Sequence, residues 1–297
     1  MRIIEPFTVT SEMVTASNIP ETDHAPWDSG ATYSTGNRVI YEHSVWESVQ
    51  GSNIGNNPAA DTAGIWWVRI GATNRWRAFD ERIGGLTTGG TSISYTIQLP
   101  RTLNSLCFFG LDGSELHIVV TAPGPTIIYD QTFNLSGRDS VGNFWEYIYT
   151  PFAFRQDMVL TNVPLPSGAT IDITLTAGSS ARVGEIIIGN DIEIGDTLTE
   201  TSLGIVDYSR KERDEWGGVY VIQRPVTRTV NFRFAVPTEG AARVQRIMER
   251  IASKLCVFYA VDGNDAFGTT IPGILRDYDL TLGANISYGT LQAESLT

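Results

Sequence analysis

Ser92-Ile93-Ser94-Tyr95-Thr96-Ile97-Gln98-Leu99 alternates polar and apolar side chains without a break. Successive side chains of a β-strand point to opposite faces, so Ile93, Tyr95, Ile97 and Leu99 share one face and Ser94, Thr96 and Gln98 the other. That is a half-buried strand, and Ile171, Ile173 and Leu175 repeat the pattern. Further apolar runs at residues 106–111, 116–121, 144–149, 158–160 and 183–188 are separated by Gly, Pro, Asn and Asp clusters that read as turns. Seven or eight strands with no helix between them predict an antiparallel β-sandwich, jelly-roll-like, over 73–190.

The flanks of this unit read differently. Downstream, over 191–297, Val230, Phe232, Phe234 and Val236 alternate, and after Pro237 the spacing of Val244, Ile247, Met248, Ile251 and Leu255 predicts one face of an amphipathic helix. Strands near 256–261, 274–282 and 286–293 complete a C-terminal α+β unit, one helix on an antiparallel sheet. The run Ser209-Arg-Lys-Glu-Arg-Asp-Glu215 before Trp216-Gly217-Gly218 predicts a long hairpin with a charged tip. Upstream, residues 23–72 gather Trp27, Tyr33, Tyr41, Trp46, Trp66 and Trp67 among Gly, Asn, Asp and Ser, as in a small β module whose core is built from rings. Residues 1–22 read as a polar N-terminal arm with a short helix beginning at Ser11, and 74–78, around Trp76, as the hinge between module and sandwich. The expected class is therefore mainly β, in three units and an arm.

Composition narrows the function. The 297 residues carry a formal net charge of −12, which repels nucleic acid and anionic membranes. Charged residues make up 18% against 42% hydrophobic, with 29 Gly and 13 Pro, a profile that excludes a disordered chain. The N-terminus lacks a basic head followed by an apolar run, and no stretch approaches bilayer length, so neither a signal peptide nor membrane insertion is expected. Cys107 and Cys256 sit in apolar runs and read as buried thiols.

Chemistry-bearing constellations are scarce. His24, His43 and His117 have no partner at metal-ligand spacing, and no Gly-x-Ser-x-Gly elbow accompanies them. Acids at Asn190-Asp191, Gly195-Asp196 and Asp262-Gly263-Asn264-Asp265 read as turn residues, and neither loop has the spacing of a calcium site. Gly84-Gly85 to Gly89-Gly90 lacks the lysine of a phosphate loop and reads as a connector. No enzyme activity, metal or cofactor is expected. The aromatic cluster is the specific signal: exposed ring faces stack on the apolar faces of sugars, making Trp27, Tyr33, Tyr41, Trp46, Trp66 and Trp67 the candidate glycan-binding residues. Against this, the rings pack on one another, in which case most belong to the core and at most two are exposed. Trp66 and Trp67, adjacent on a strand, must point to opposite faces.

Ala25-Pro26-Trp27, Tyr33, Gly36, Val39, Tyr41, Val45-Trp46-Glu47-Ser48, Pro58 and Trp66-Trp67-Val68, in that order, resemble the small carbohydrate-binding modules of types 5 and 12 found in chitinases. Members of that family that bind chitin place an exposed Trp shortly before the Pro of the last loop, where this chain reads Asn56-Asn57-Pro58. The remainder, including Gly71-Ala-Thr-Asn-Arg-Trp76-Arg-Ala-Phe79-Asp80 and Gly204-Ile-Val-Asp-Tyr208-Ser209-Arg210-Lys211, resembles tail and adsorption-apparatus virion proteins of tailed bacteriophages. The C-terminal unit is similar to the tail-tube and distal-tail fold that assembles into rings. These resemblances imply a structural virion protein of a tail, baseplate or fibre-attachment region, made in the host cytoplasm. Its partners would be other tail proteins and copies of itself as a homo-oligomer, with an outward module that contacts host cell-surface polysaccharide. The alternative is a lectin-type adhesin of the virion in which the aromatics form a working sugar platform.

Overall fold

The alternating segment at 92–99 forms the strand Ser92–Gln98 of a five-stranded antiparallel sheet. The order across this sheet is Thr126–Asn134, Glu115–Ala122, Thr170–Thr176, Ser92–Gln98, Val14–Ser17. Register aligns the apolar rows, with Ile171 opposite Ile97 and Val120, and Ile173 opposite Tyr95 and Ile118. Each such buried side chain contributes roughly 1.5–3 kcal/mol by leaving water. The structure, a computed structural model, describes residues 1–82, 84–136, 155–260 and 268–295. The strand expected at 144–149 and the Asp262–Asp265 turn lie outside them.

A second, ten-stranded sheet runs Met158–Leu160, Ser105–Phe109, Glu185–Glu193, Arg2–Pro6, Cys256–Tyr259, Ile271–Thr281, Ile286–Ser295, Val226–Pro237, Asp196–Thr197, with Ser202–Asp207 also paired to Val226–Pro237. All of its pairings are antiparallel. Leu106, Phe108, Ile186 and Ile188 project from it into the core shared with the five-stranded sheet, which makes that half a β-sandwich. Ile3, Phe258, Phe232 and Leu291 meet the helix Ala241–Ile251 through Val244, Ile247, Met248 and Ile251. By strand register Ile3 and Ile188 lie on one face, so the five-stranded sheet and the helix sit side by side on it. The opposite face buries Ile4, Cys107, Phe109, Ile187, Val257 and Tyr259.

The class is mainly β, with one α-helix among the described residues, near the C-terminus, as alternation and helical spacing predict. Four expectations are corrected, the last of them at Trp76 below. Residues 1–22 are not an arm: Arg2–Pro6 is the strand that joins the two halves of the ten-stranded sheet, and Val14–Ser17 closes the five-stranded one. Ile3 and Ile4 are both fully buried because the strand is covered on both faces, and a strand covered twice shows no alternation. The helix expected at Ser11 is a turn, closed by Met13 N–H donating to Thr10 O. The division at 190/191 falls inside Glu185–Glu193, so the sandwich and the α+β unit share one sheet.

Within 23–72, three strands, Arg38–Tyr41, Ser44–Ser48 and Trp67–Ala72, form one small sheet, and Thr32–Tyr33 pairs with Asn53–Ile54. Trp76 is not a hinge. It is 9% exposed and begins an edge-on ring series through Phe79 to Tyr95 in the sandwich core. On its other side the His43 ring lies 4.5 Å from it. His43 O accepts the Thr73 N–H, and Glu21 accepts from both His43 Nδ1 (3.0 Å) and Thr73 Oγ1 (2.6 Å), so packing and hydrogen bonds hold the module to the body.

Candidate functional site

The six candidate aromatics divide between core and surface. Trp67 is 1% exposed, donates its indole N–H to Asn56 O at 2.9 Å, and meets the Tyr33 ring edge-on at 5.1 Å. The core takes Trp67 entirely, so its ring has no open face for a sugar, and Tyr33 is half-buried against it. Trp66, the next residue back, points elsewhere and is half-buried. The bend that separates them is built by Asp61, whose carboxylate accepts the backbone N–H groups of Ile65, Trp66 and Trp67. Desolvation raises the Asp61 pKa, but these backbone donors outweigh it and hold the group below the usual carboxylate range.

Trp27, Tyr41 and Trp46 form a separate group. The Trp27 and Tyr41 rings meet edge-to-face at 5.5 Å, and Trp46 Nε1 donates to Tyr41 O at 3.2 Å. Trp27 is placed by two backbone bonds, its own N–H to Ile40 O and the Ile40 N–H to Ala25 O, both 2.9 Å. All three rings are half-buried. Trp27 Nε1 is sealed from solvent with no hydrogen-bond partner among the described residues, so the part of its ring that reaches water is hydrocarbon. A hydrocarbon ring surface is what stacks on the C–H face of a pyranose.

Asn57 completes this group, and the aromatic count passes over it. Its Nδ2 donates to Tyr41 Oη at 2.9 Å while its Oδ1 accepts the Ala59 N–H at 2.8 Å, capping the short helical turn Pro58–Ala60. The sequence signal is Asn before Pro, an N-cap followed by a residue preset for the first helical position. Just before the Pro58–Ala60 turn this chain therefore holds an amide that fixes Tyr41.

A cleft of about 640 Å³ lies between the opposite face of the small sheet and the body, lined by Arg38, Val45 and Ile70 on one side and by Arg77, Asp80 and Arg82 on the other. These residues are far apart in sequence, and no local pattern joins them. Behind the cleft, Glu185 is 2% exposed and its Oε1 accepts the Glu81 N–H at 3.2 Å. Burial, and then the neighbouring Asp80 charge, push the Glu185 carboxyl up to about 9, so it is protonated at neutral pH. Burial likewise raises Asp80.

Elsewhere, His117 Nε2 lies 2.9 Å from Asp130 on the solvent side of the five-stranded sheet, and both side chains are exposed. Cys107 and Cys256 are free and buried, and desolvation pushes both thiols upward, away from the reactive thiolate. Among the described residues no group of three or more His, Cys, Asp or Glu is placed to hold a metal ion, and no helix is long and apolar enough to cross a membrane.

No family model matches the chain, and no curated protein matches it. Among solved structures it is similar to the lectin domain of lectinolysin complexed with Lewis B antigen, at 12% identity over 39% of this chain and 83% of that one, with a TM-score of 0.28. A histidine mutant of that lectin-binding domain, complexed with Lewis b, gives 13% identity, 40% and 84% coverage and the same TM-score of 0.28.

Proposed function

We propose that the chain is a non-enzymatic structural protein of a bacteriophage tail, baseplate or fibre-attachment region, and that its 23–72 module binds host-surface glycan. The observation that carries the glycan reading is the Trp27–Tyr41 pair, with hydrocarbon ring surface in solvent and Asn57 holding the phenol in place. A pair of rings is a small site, and its affinity for a sugar would be weak. Copies of the chain assembled as a homo-oligomer convert weak contacts into avidity. The virion assignment rests on the sequence resemblance of residues 71–80, 204–211 and the C-terminal unit to tail proteins.

The non-enzymatic reading has physical support in what surrounds the reactive groups. Glu185 is neutral, as a general acid must be, yet it is sealed from solvent and does not line the cleft. The His117–Asp130 pair stands on an open sheet surface, where water is not excluded from either partner.

Retention on immobilised polysaccharides, bacterial envelope glycans and chitin among them, tests the binding site. Trp27→Ala is expected to reduce retention at least tenfold while the melting temperature stays within a few degrees. Retention equal to wild type across all glycans would remove this patch as the site. Immunogold labelling of phage particles with antibody against residues 23–72 tests the location, and absence of the chain from particles would sink the virion assignment.

A further inference from the structure

The cleft between the small sheet and the body has binding chemistry that the Trp27–Tyr41 pair does not use. Arg38 and Tyr41 stand three residues apart on one strand and so point to opposite faces, the arginine toward the cleft and the phenol toward the ring pair. The cleft volume, about 640 Å³, falls within the roughly 300–1,000 Å³ of small-ligand sites. On its sheet wall Ile70 is 43% exposed, so hydrocarbon faces the open space beside Val45.

The polar lining is balanced in charge and largely unspent. Arg38, Arg77 and Arg82 stand against Asp23, Asp80 and Glu81, with His24 the remaining titratable group. Arg38 is held by Glu47 at 2.8 Å. Arg77 makes one long bond, 3.4 Å to Leu86 O, and Asp23 and Asp80 each accept one backbone N–H, from Asn74 and Arg82, both at 3.0 Å. The charges of Arg82 and Arg77 reach the Asp80 carboxyl. Among the described residues, however, no ion pair joins either guanidinium to Asp23, Asp80 or Glu81. The loop that presents these groups is held in place: Glu81 takes a φ of +60°, costly for a residue with a side chain, and its N–H donates to the buried Glu185 Oε1 at 3.2 Å. Backbone held in such a conformation is characteristic of ligand clamps.

Guanidiniums only donate hydrogen bonds and carboxylates only accept them, whereas a hydroxyl does both. A ligand that bridges facing groups of the two kinds without carrying net charge is therefore a polyol, and a compact ring with one C–H face also matches the Ile70 wall. We infer that the cleft is a second glycan site, taking a neutral pyranose unit whose hydroxyls accept from Arg77 and Arg82 and donate to Asp80 and Glu81. The balanced lining disfavours an acidic sugar or a phosphate, for which an excess of cations is needed. The inference rests on reading the module as a glycan binder but not on the Trp27–Tyr41 patch, so the two fail separately.

Saturation-transfer NMR on the full chain tests it, with the methyl glycosides of glucose, galactose, mannose and N-acetylglucosamine as neutral probes and glucuronate and inorganic phosphate as anionic ones. The Trp27→Ala background removes the ring patch from the readout. In that background at least one neutral glycoside is expected to bind, and more tightly than either anion. Arg82→Ala and Glu81→Gln, each added to it, are expected to weaken that binding about tenfold or more, since each removes a charged hydrogen-bond partner. Both side chains are exposed, so melting temperature and circular dichroism are expected to stay unchanged. No neutral glycoside bound in the Trp27→Ala background, binding indifferent to both cleft variants, or tighter binding of glucuronate or phosphate would each overturn the proposal. None of these results depends on whether Trp27→Ala alters retention on polysaccharide, which decides the ring patch separately.

Discussion

At Glu185 the chain keeps a carboxyl where water does not reach, and the consequence is a measurable dependence of stability on pH. The unfolded carboxyl titrates near 4.5 and the folded one near 9, so between these values the folded state holds the extra proton. Stability therefore falls as pH rises through that window, the reverse of a salt-bridged carboxylate. Glu185→Gln removes the titration while its amide oxygen still accepts the Glu81 N–H. At pH 8 the variant is expected to be more stable than wild type by on the order of 2–4 kcal/mol, with the difference vanishing near pH 4, as measured by urea unfolding at each pH. Equal slopes for the two proteins between pH 5 and 9 would show that Glu185 is ionised in the fold. Nothing in Gly184-Glu185-Ile186 announces this burial, because the polar neighbours, Asp80 and Glu81, come from a loop a hundred residues away. The Trp27–Tyr41 pair was legible as residue types, whereas the assignment of Trp67 to the core and of Asn57 to the surface group depends on which side of a bend each falls.

Among the elements, those with one wet face were the readable ones. Ser92–Gln98 and Thr170–Thr176 alternate because water lies on one side, and Ala241–Ile251 shows its stripe for the same reason. Arg2–Pro6 is hidden by burial on both faces, and Thr126–Asn134 by the opposite circumstance, an edge position where most side chains are exposed. Register supplies a further term that no single strand displays. Gly289 stands opposite Phe234, and a Cβ on it would lie 2.5 Å from that ring, so the aromatic folds across a glycine in the neighbouring strand. Gly289→Ala is expected to displace Phe234 and cost roughly 1–3 kcal/mol, read as a lowered melting temperature. A variant as stable as wild type would mean that the ring moves aside freely.

For the molecule as a whole, the division expected at 190/191 has a direct test. Fragment 191–297 begins within a strand and lacks Arg2–Pro6, which is the neighbour of Cys256–Tyr259 in the sheet. Expressed alone, it is expected to give no cooperative thermal transition, whereas the full chain does; a sharp transition in the fragment would restore 191–297 as a domain in its own right. The position of Arg2–Pro6 has a consequence in time as well as in space. Its two neighbours in the sheet lie near residues 190 and 258, so during synthesis the first strand must wait, unpaired, until most of the chain has left the ribosome. Contacts between such distant parts of a chain slow folding and prolong the exposure of sticky intermediates. The order of translation runs from strand to module to sandwich to helix, but the main sheet closes only near the end, and its earliest strand is among the last to find its place.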